Sequence, residues 1–233
     1  MIPALSRPLL RTHDGDRRKL TKPSAGMQRA LRLTDHLSGY APARFNITVS
    51  HSHRLVWFRV AKVGTRSIFG ALRNAGVELD LEEPFGVMAP RALTRGYTRA
   101  GFVRHPIDRF LSGWQSTVIK FNHFDFDPTT HVEMKKLSNF IAWFAEQDPA
   151  TCDLHFRLQS TLLPAGRLHL LGRMETFDTD LDRLLSIIGA PHAARPRLNA
   201  SPTTPPELTG AERALLIDRY APDFARFGYE ARQ

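Results

Sequence analysis

A short polar turn carries residue types that bind anions. Lys62, Gly64, Thr65 and Ser67 follow an apolar run and precede a helical pattern. The lysine supplies a positive charge, the glycine lets the backbone approach a ligand, and the hydroxyls can bond to anionic oxygens. A helix N-terminus also points unpaired N–H groups at a phosphate or sulfate. The lysine precedes the glycine, so this is not a GxxxxGK[ST] loop, and a plain structural turn is the alternative.

A second pair of anion-binding residues follows the next predicted strand. Arg104 comes directly after a strand that ends near Val103, and Ser112 lies in the helix that Pro106 begins. At roughly 100° per residue, Ser112 points away from the apolar stripe of that helix. A guanidinium can hold a phosphate through two hydrogen bonds, and the hydroxyl adds one more. Two such sites suit a ligand with two separated phosphates; the alternative pairs Arg104 with a carboxylate.

Hydrophobic spacing predicts the elements that position these residues. Residues 55–60 form a β-branched and aromatic run, which is typical of a buried strand. Helical spacing follows as far as Gly76, and it recurs from Pro106, in residues 137–144 and in residues 181–188. A further helix begins at the capping-box pattern Thr209-x-x-Glu212. This alternation predicts an α/β fold: a P-loop-like single domain with a mostly parallel central sheet covered by helices.

Residues 77–100 are predicted to form a loop-rich excursion with one short helix. They contain an acidic patch, two prolines and a basic run. A solvated connection is one interpretation. The other is that the excursion borders a cleft, where Glu83 would serve as a general base or bind an acceptor.

Composition bounds the chain to one domain plus a tail. It has 233 residues, of which 42% are hydrophobic, enough for one sizeable core. Residues 1–35 hold eight Lys or Arg against three Asp and no aromatic side chain. We therefore predict a basic, poorly ordered tail over residues 1–40 and a catalytic domain over residues 41–233. A basic arm that binds nucleic acid or an anionic surface is the less favoured alternative.

The remaining composition points to a cytoplasmic protein without a metal. A single cysteine, Cys152, excludes an intramolecular disulfide and favours a reducing compartment. No apolar stretch approaches the roughly 20 residues that a membrane span needs. The pairs His51/His53 and His123/His131 do not match a metal-site motif.

The two anion-binding segments resemble those of a known family. Residues 61–67 (AKVGTRS) and 101–114 (GFVRHPIDRFLSGW) are similar to the 5′-phosphosulfate and 3′-phosphate motifs of sulfotransferases that use 3′-phosphoadenosine-5′-phosphosulfate (PAPS). They look most like the Golgi carbohydrate sulfotransferases of the chondroitin 4-O and HNK-1 type. Three later segments extend the resemblance: 155–159 (HFRLQ), 171–177 (LGRMETF) and 220–229 (YAPDFARFGY). It covers residues 54–229.

This chain departs from the family pattern at two positions of the first motif. Ala61 stands where the family commonly has proline, and Arg66 stands where it commonly has threonine or serine. Ser67 or Thr65 is expected to supply the missing hydroxyl. The family's usual membrane anchor is absent as well, which favours a soluble, bacterial-type member.

The resemblance implies sulfonate transfer from PAPS to a carbohydrate hydroxyl, with PAP as the product and no metal. Lys62 would contact the transferring sulfonate. The residues implied to hold the 5′-phosphate are Gly64, Thr65, Arg66 and Ser67. Those implied to hold the 3′-phosphate are Arg104 and Ser112.

The resemblance also implies roles at the acceptor. His155 is the preferred general base, with Glu83 and His123 behind it; a structural or acceptor-binding role for His155 is the alternative. Arg157 and Gln159, from the same segment, are expected to bind the acceptor. From the residues alone, three polar side chains of a proline-rich loop are placed within reach of the donor: Arg195, Arg197 and Ser201.

Two other classes of function remain open at this stage. A nucleotide-dependent kinase of the same fold would need Mg²⁺ and a carboxylate to hold it, and the sequence shows no such motif. A non-catalytic binder of nucleic acid or anionic glycan would use the basic tail together with the anion sites.

Overall fold

The fold is organised around a mixed five-stranded sheet. The computed structural model describes residues 9–11, 17–19, 21–37, 44–166, 168–192 and 206–231. The described strands are β1 (Leu9–Arg11), β2 (Arg17–Lys19), β3 (Phe45–Ser50), β4 (Leu55–Arg59), β5 (Leu81–Val87), β6 (Thr98–Val103) and β7 (Leu170–Arg173). The first two form a separate antiparallel pair, and the others form the sheet in the order β5-β3-β4-β6-β7.

Four of the five sheet strands point the same way. β4 pairs in parallel with β6, and β6 with β7, whereas β3 is antiparallel to both of its neighbours, β4 and β5. β3 therefore runs alone against the rest, and the prediction of a mostly parallel sheet is confirmed. The turn of residues 51–54 explains the reversal, because so short a connection joins only antiparallel strands.

Helices cover the sheet and extend beyond it. They are α1 (Lys22–Leu37), α2 (Thr65–Asn74), α3 (Pro106–Trp114), α4 (Pro128–Met134), α5 (Leu137–Ala145), α6 (Gln159–Leu162), α7 (Phe177–Ile187), α8 (Gly210–Arg219) and α9 (Ala221–Phe227). A π-helix, Gln115–Ile119, continues α3. The helices predicted after β4, from Pro106, near residue 140, before Gly189 and after Thr209 are confirmed. Among the described residues, none of the helices combines the length and apolarity needed to cross a bilayer.

The apolar side chains form two clusters instead of the single core expected. One surrounds the sheet, with α2 and α7 packed against it. The other joins α3, α5, α8 and α9. The stripe predicted on α3 is buried as expected, but it faces the second cluster: Ile107, Phe110, Leu111, Trp114 and Val118.

The predicted loop over residues 77–100 is wrong where β5 forms. Glu82 and Glu83 are consecutive residues of this strand, and both are buried. Glu82 lies 3.7 Å from Arg59, and Glu83 accepts a 2.5 Å hydrogen bond from Gln28 Nε2. Because the two carboxylates have interior partners, consecutive acidic residues here do not mark a solvated loop.

A packed helix lies within the stretch predicted to be a tail. α1 buries Ser24, Gln28 and Leu31, which recur at i, i+4 and i+7. The predicted absence of packing therefore does not hold for this helix. Residues 1–35 contain no aromatic side chain, yet α1 docks through Leu31, Met27 and buried polar contacts. Residues 1–8, 12–16, 20 and 38–43 lie outside the described residues.

The docking of α1 can be tested with two matched leucines. Leu31 is 0% exposed and Leu33 is 58% exposed on the same helix. We expect Leu31→Ala to lower the free energy of unfolding by about 2–5 kcal/mol. Leu33→Ala should change it by less than about 0.5 kcal/mol, because a surface substitution leaves no cavity. Urea unfolding followed by tryptophan fluorescence measures both; equal effects would show that α1 does not pack on the domain.

Candidate functional site

The turn after β4 leaves a helix N-terminus open at the end of the sheet. Lys62 has φ +70° and Gly64 has φ +72°, both in the left-handed region. Gly64 caps α2 without a side-chain hydrogen bond, and the first turn of α2 has no acidic residue. A Cβ at Gly64 would lie 2.8 Å from the Met174 thioether, which would have to shift, and the positive φ also favours glycine. The geometry suits a bound anion.

Lys62 is half-buried and surrounded by other cations. Its ammonium donates a 2.7 Å hydrogen bond to Ser116 Oγ in the π-helix. Burial is the main cause that lowers the pKa of Lys62 to about 8, and the charges of Arg104, Lys120, Arg66 and Arg109 lower it further. An anion placed here would relieve this repulsion.

The remaining residues of the predicted turn belong to α2, because the helix begins at Thr65, two residues before the predicted start at Ser67. Thr65, Arg66 and Ser67 are the first three residues of α2. The Thr65 hydroxyl donates to the Val60 carbonyl at 3.1 Å, which leaves its lone pairs to accept. Arg66 is exposed at the mouth of the site. The turn is thus shorter than predicted, and Thr65, Arg66 and Ser67 form the first turn of the helix.

The backbone of Arg104 is held in place by the side chain of Gln159. Gln159 Oε1 accepts from Arg104 N at 3.0 Å, and Gln159 Nε2 donates to Arg104 O at 2.8 Å. Asp223 in turn accepts the Gln159 and Ser160 amides at 2.8 Å each. Gln159 is 0% exposed. It therefore lies behind Arg104 and fixes it, away from the acceptor-facing position that the sequence predicted.

The side chains that were predicted to hold a second phosphate are available. Arg104 and Ser112 are both partly exposed. Within the described ranges, the Arg104 guanidinium has no carboxylate partner, so the alternative of an ion pair is not what the structure shows. Arg104 and Lys62 follow neighbouring parallel strands. Both cations thus lie at the carboxyl edge of the sheet.

Arg109 is a functional residue that sequence reasoning did not single out. It is fully buried and donates to three carbonyl oxygens: Ala61 at 2.9 Å, Leu154 at 2.9 Å and Arg157 at 2.7 Å. Burial lowers its pKa, which the nearby Tyr220 and Asp223 partly offset. Arg109 therefore connects Ala61, the residue before Lys62, to the backbone before and after His155. Its position next to Phe110 in the predicted apolar stripe of α3 was the available signal.

The π-helix supplies the partner of Lys62. Ser116 and Thr117 both donate their hydroxyls to Gly113 O, at 3.0 and 2.9 Å. Lys120 N bonds to Gln115 O at 3.1 Å, which is the i→i+5 pattern. Two hydroxyls that bond back to one carbonyl compete with regular helical bonding. Apolar spacing alone does not predict this π-helix.

A cluster of two histidines and one carboxylate lies beside the π-helix. His155 Nδ1 is 2.7 Å from Asp153 Oδ1, and His123 Nε2 is 3.1 Å from Asp153 Oδ2. The potential ligand atoms of the three residues lie within 4.8 Å of one another. Burial would raise the pKa of Asp153, but hydrogen bonds from the two histidines hold it well below its usual range. His155 and His123, the predicted base and one of the alternatives, therefore share one carboxylate.

Other predicted residues lie elsewhere. Glu83 is in the middle of β5, two strands from β4, where it bonds to Gln28 and lies 3.6 Å from Arg32. Arg157 donates to the carbonyls of Cys152 and Thr151, at 2.8 and 2.7 Å, and so closes its own turn. Three more predicted residues lie outside the described residues: Arg195, Arg197 and Ser201.

A cleft of about 740 Å³ opens next to the Arg104 side of the site. Its lining includes His105, Asp108, Leu111, Arg173 and Tyr229. Asp108 lies one helical turn before Ser112, and Leu111 directly precedes it. None of the predicted donor-binding residues lines it. The cleft thus borders the cationic site without containing it.

Comparison with known proteins adds a family to this geometry. A family model described as "Sulfotransferase family" matches residues 45–230. The human protein named Carbohydrate sulfotransferase 9 is 25% identical over 243 aligned residues, which cover 89% of this chain and 49% of that relative. The chain therefore spans about half the length of this relative. No solved structure matches.

The lowered pKa of Lys62 can be measured directly. After ¹³C-methylation of the lysines, we expect one resonance to titrate near 8, and Lys62→Arg should remove that resonance. Pyrophosphate in the site favours the charged ammonium, so it should move the midpoint back towards 10.5. Anion binding should then take up a proton between these pH values and weaken as pH rises above 8. If every lysine titrated near its ordinary value of about 10.4, the electrostatic account would be wrong.

Proposed function

Because the chain belongs to the sulfotransferase family, we propose that it transfers the sulfonate of PAPS to a hydroxyl of a carbohydrate acceptor by in-line displacement. One observation carries the choice of donor. Lys62 and Arg104 follow neighbouring parallel strands, and neither has an ion pair among the described residues. Two cations so placed suit the two separated phosphates of PAPS.

The turn after β4 is the proposed site of the 5′-phosphosulfate. The open N-terminus of α2 offers backbone N–H groups, and Thr65, Arg66 and Ser67 add hydroxyls and a charge. Lys62 would stabilise the negative charge that grows on the oxygen that leaves sulfur. A half-buried ammonium acts in a lower dielectric, so its effect exceeds that of an exposed lysine.

The pair Arg104 and Ser112 is the proposed site of the 3′-phosphate. The Gln159 amide fixes the Arg104 backbone through both its N–H and its carbonyl, so this backbone needs no ordering when an anion binds. The adjacent cleft of about 740 Å³ lies within the range of small-molecule sites. In the described part of the chain, the buried His105 Nδ1 on its wall has no partner. This cleft is our candidate for the adenosine.

A base must take the proton of the acceptor hydroxyl. His155 is our candidate because Nδ1 faces Asp153, so the ring can accept through Nε2. The backbone carbonyl oxygen of His155 lies 3.4 Å from the position that a Cβ on Gly113 would occupy. The Gly113 carbonyl accepts a hydrogen bond from the Ser116 hydroxyl, which in turn accepts one from Lys62. His155 and Lys62 therefore adjoin the same turn of α3. The carbohydrate acceptor is proposed from the printed name of the human relative.

The donor can be tested without knowing the acceptor. We expect PAP to bind far more tightly in calorimetric titration than adenosine-5′-phosphosulfate, which lacks the 3′-phosphate. Arg104→Ala should weaken PAP binding by about 2–5 kcal/mol. Arg95→Ala is the matched control, because Arg95 is exposed beyond the opposite end of β6. Preference for ATP with Mg²⁺ would favour the kinase, and no binding of any nucleotide would favour the non-catalytic binder.

The role of Lys62 can be tested by turnover. We expect Lys62→Ala to lower sulfonate transfer from PAPS to desulfated glycosaminoglycans by at least about 10²–10³, since it removes the charge at the leaving oxygen. Its midpoint of urea unfolding should remain close to that of the unmodified chain. Lys135→Ala, at an exposed lysine of the α4–α5 connection, is the control and should keep full activity. Near-normal turnover by Lys62→Ala would contradict the mechanism.

A further inference from the structure

The Asp153 carboxylate collects three hydrogen bonds. Oδ1 accepts from the His155 backbone N–H at 2.9 Å and is 2.7 Å from His155 Nδ1. Oδ2 is 3.1 Å from His123 Nε2. Asp153 therefore bridges two imidazole rings, whose centroids lie 5.1 Å apart.

The charge of this carboxylate fixes the hydrogen positions on both rings. Hydrogen bonds keep the pKa of Asp153 well below its usual range although burial opposes this, so the side chain is ionised at neutral pH. An ionised carboxylate only accepts, so each ring nitrogen that faces it carries the hydrogen. His155 then has N–H at Nδ1, and its Nε2 presents a lone pair whenever the ring is neutral.

The cluster is tied to the proposed reaction centre through the π-helix. The His123 backbone N–H donates to Thr117 O at 3.0 Å. Thr117 and Ser116 both bond to Gly113 O, and Ser116 accepts from Lys62. The His155 side chain keeps 27% of its surface exposed. The ring is therefore open in part to solvent, and hydrogen bonds connect its cluster to the partner of Lys62.

We propose that Asp153 is a positioning residue that holds His155 with Nε2 ready to take a proton from the acceptor hydroxyl, while His123 secures the other oxygen of the carboxylate. This inference rests on the proposed function. As the acceptor oxygen bonds to sulfur, its proton moves to His155 Nε2. The sulfur–oxygen bond to the 5′-phosphate breaks, and that oxygen keeps the electron pair beside Lys62. The imidazolium charge is balanced by Asp153.

The distances favour a proton network over a metal site. Ligand atoms around a tetrahedral zinc ion lie about 3.4 Å apart, given bonds of about 2.1 Å. The 2.7 Å separation of His155 Nδ1 and Asp153 Oδ1 is a hydrogen-bond distance. Each carboxylate oxygen also faces a different ring, as two separate hydrogen bonds require.

The test has a spectroscopic arm and a kinetic arm, both on the full chain. The first records the ring ¹⁵N signals of the histidines in the unmodified protein, in Asp153→Ala and in Asp153→Asn. The amide that Asp153→Asn introduces can keep an oxygen facing His155, so this variant separates hydrogen-bond geometry from charge. The second measures conversion of PAPS to PAP with water as the acceptor, together with PAP affinity. Asp182→Ala is the matched control, because Asp182 of α7 lies 2.8 Å from Nδ1 of His192, a histidine beyond the end of that helix.

We expect His155 to carry hydrogen on Nδ1, to lose this preference in Asp153→Ala and to keep it in Asp153→Asn. Asp153→Ala should lower the rate of PAP formation by about 100-fold and leave PAP affinity within twofold. The rate of Asp153→Asn should lie between those of the unmodified protein and Asp153→Ala. Asp182→Ala should change neither rate nor affinity.

Three results would overturn the inference. They are hydrogen on Nε2 of His155 in the unmodified protein, an unchanged His155 spectrum in Asp153→Ala, and an unchanged rate of PAP formation. Tight Zn²⁺ binding that depends on all three residues would make the cluster a metal site instead. Failure of the proposed function appears separately, as no binding of PAP to the unmodified chain, whatever the histidine spectrum shows.

Discussion

The arrangement of the site depends on one buried guanidinium. Arg109 has no charged hydrogen-bond partner among the described residues and is satisfied by three backbone carbonyls. A buried cation is costly unless its donors are paired, so these carbonyls must stay in place for the domain to remain folded. They belong to the turn before Lys62 and to the segment around His155. One side chain thereby sets the spacing between the cationic turn and the histidine cluster.

The second constraint is electrostatic. Besides burial, the causes that lower the pKa of Lys62 are all neighbouring cations. These like charges repel one another, and a bound polyanion would offset that repulsion. Fixed positive charge costs little reorganisation when the negative charge arrives, which is the condition for stabilising a transition state. The Arg104 backbone, fixed by Gln159 and through it by Asp223, meets the same condition.

The sequence predicted the parts of the site that depend on local pattern. β4, the turn and α2 follow from apolar spacing and one glycine, and Arg104 follows from its place after β6. Residues that act through long-range contacts were not predictable in this way. Gln159 was expected to face the acceptor, yet it bonds to a backbone 55 residues away. Glu83 was assigned to a loop because its partner, Gln28, lies 55 residues earlier in the chain.

The π-helix after α3 has a consequence for how such chains are compared. An i→i+5 turn holds one residue more than an α-helix would use to cover the same rise. In a chain that lacks this extra residue, every side chain after Ser116 would be rotated by about 100° around the helix axis. Numbering carried straight across this point would then pair His123 with the wrong neighbour. Alignments of relatives should therefore admit a one-residue gap within residues 115–119, the part of the chain that brings Ser116 to Lys62.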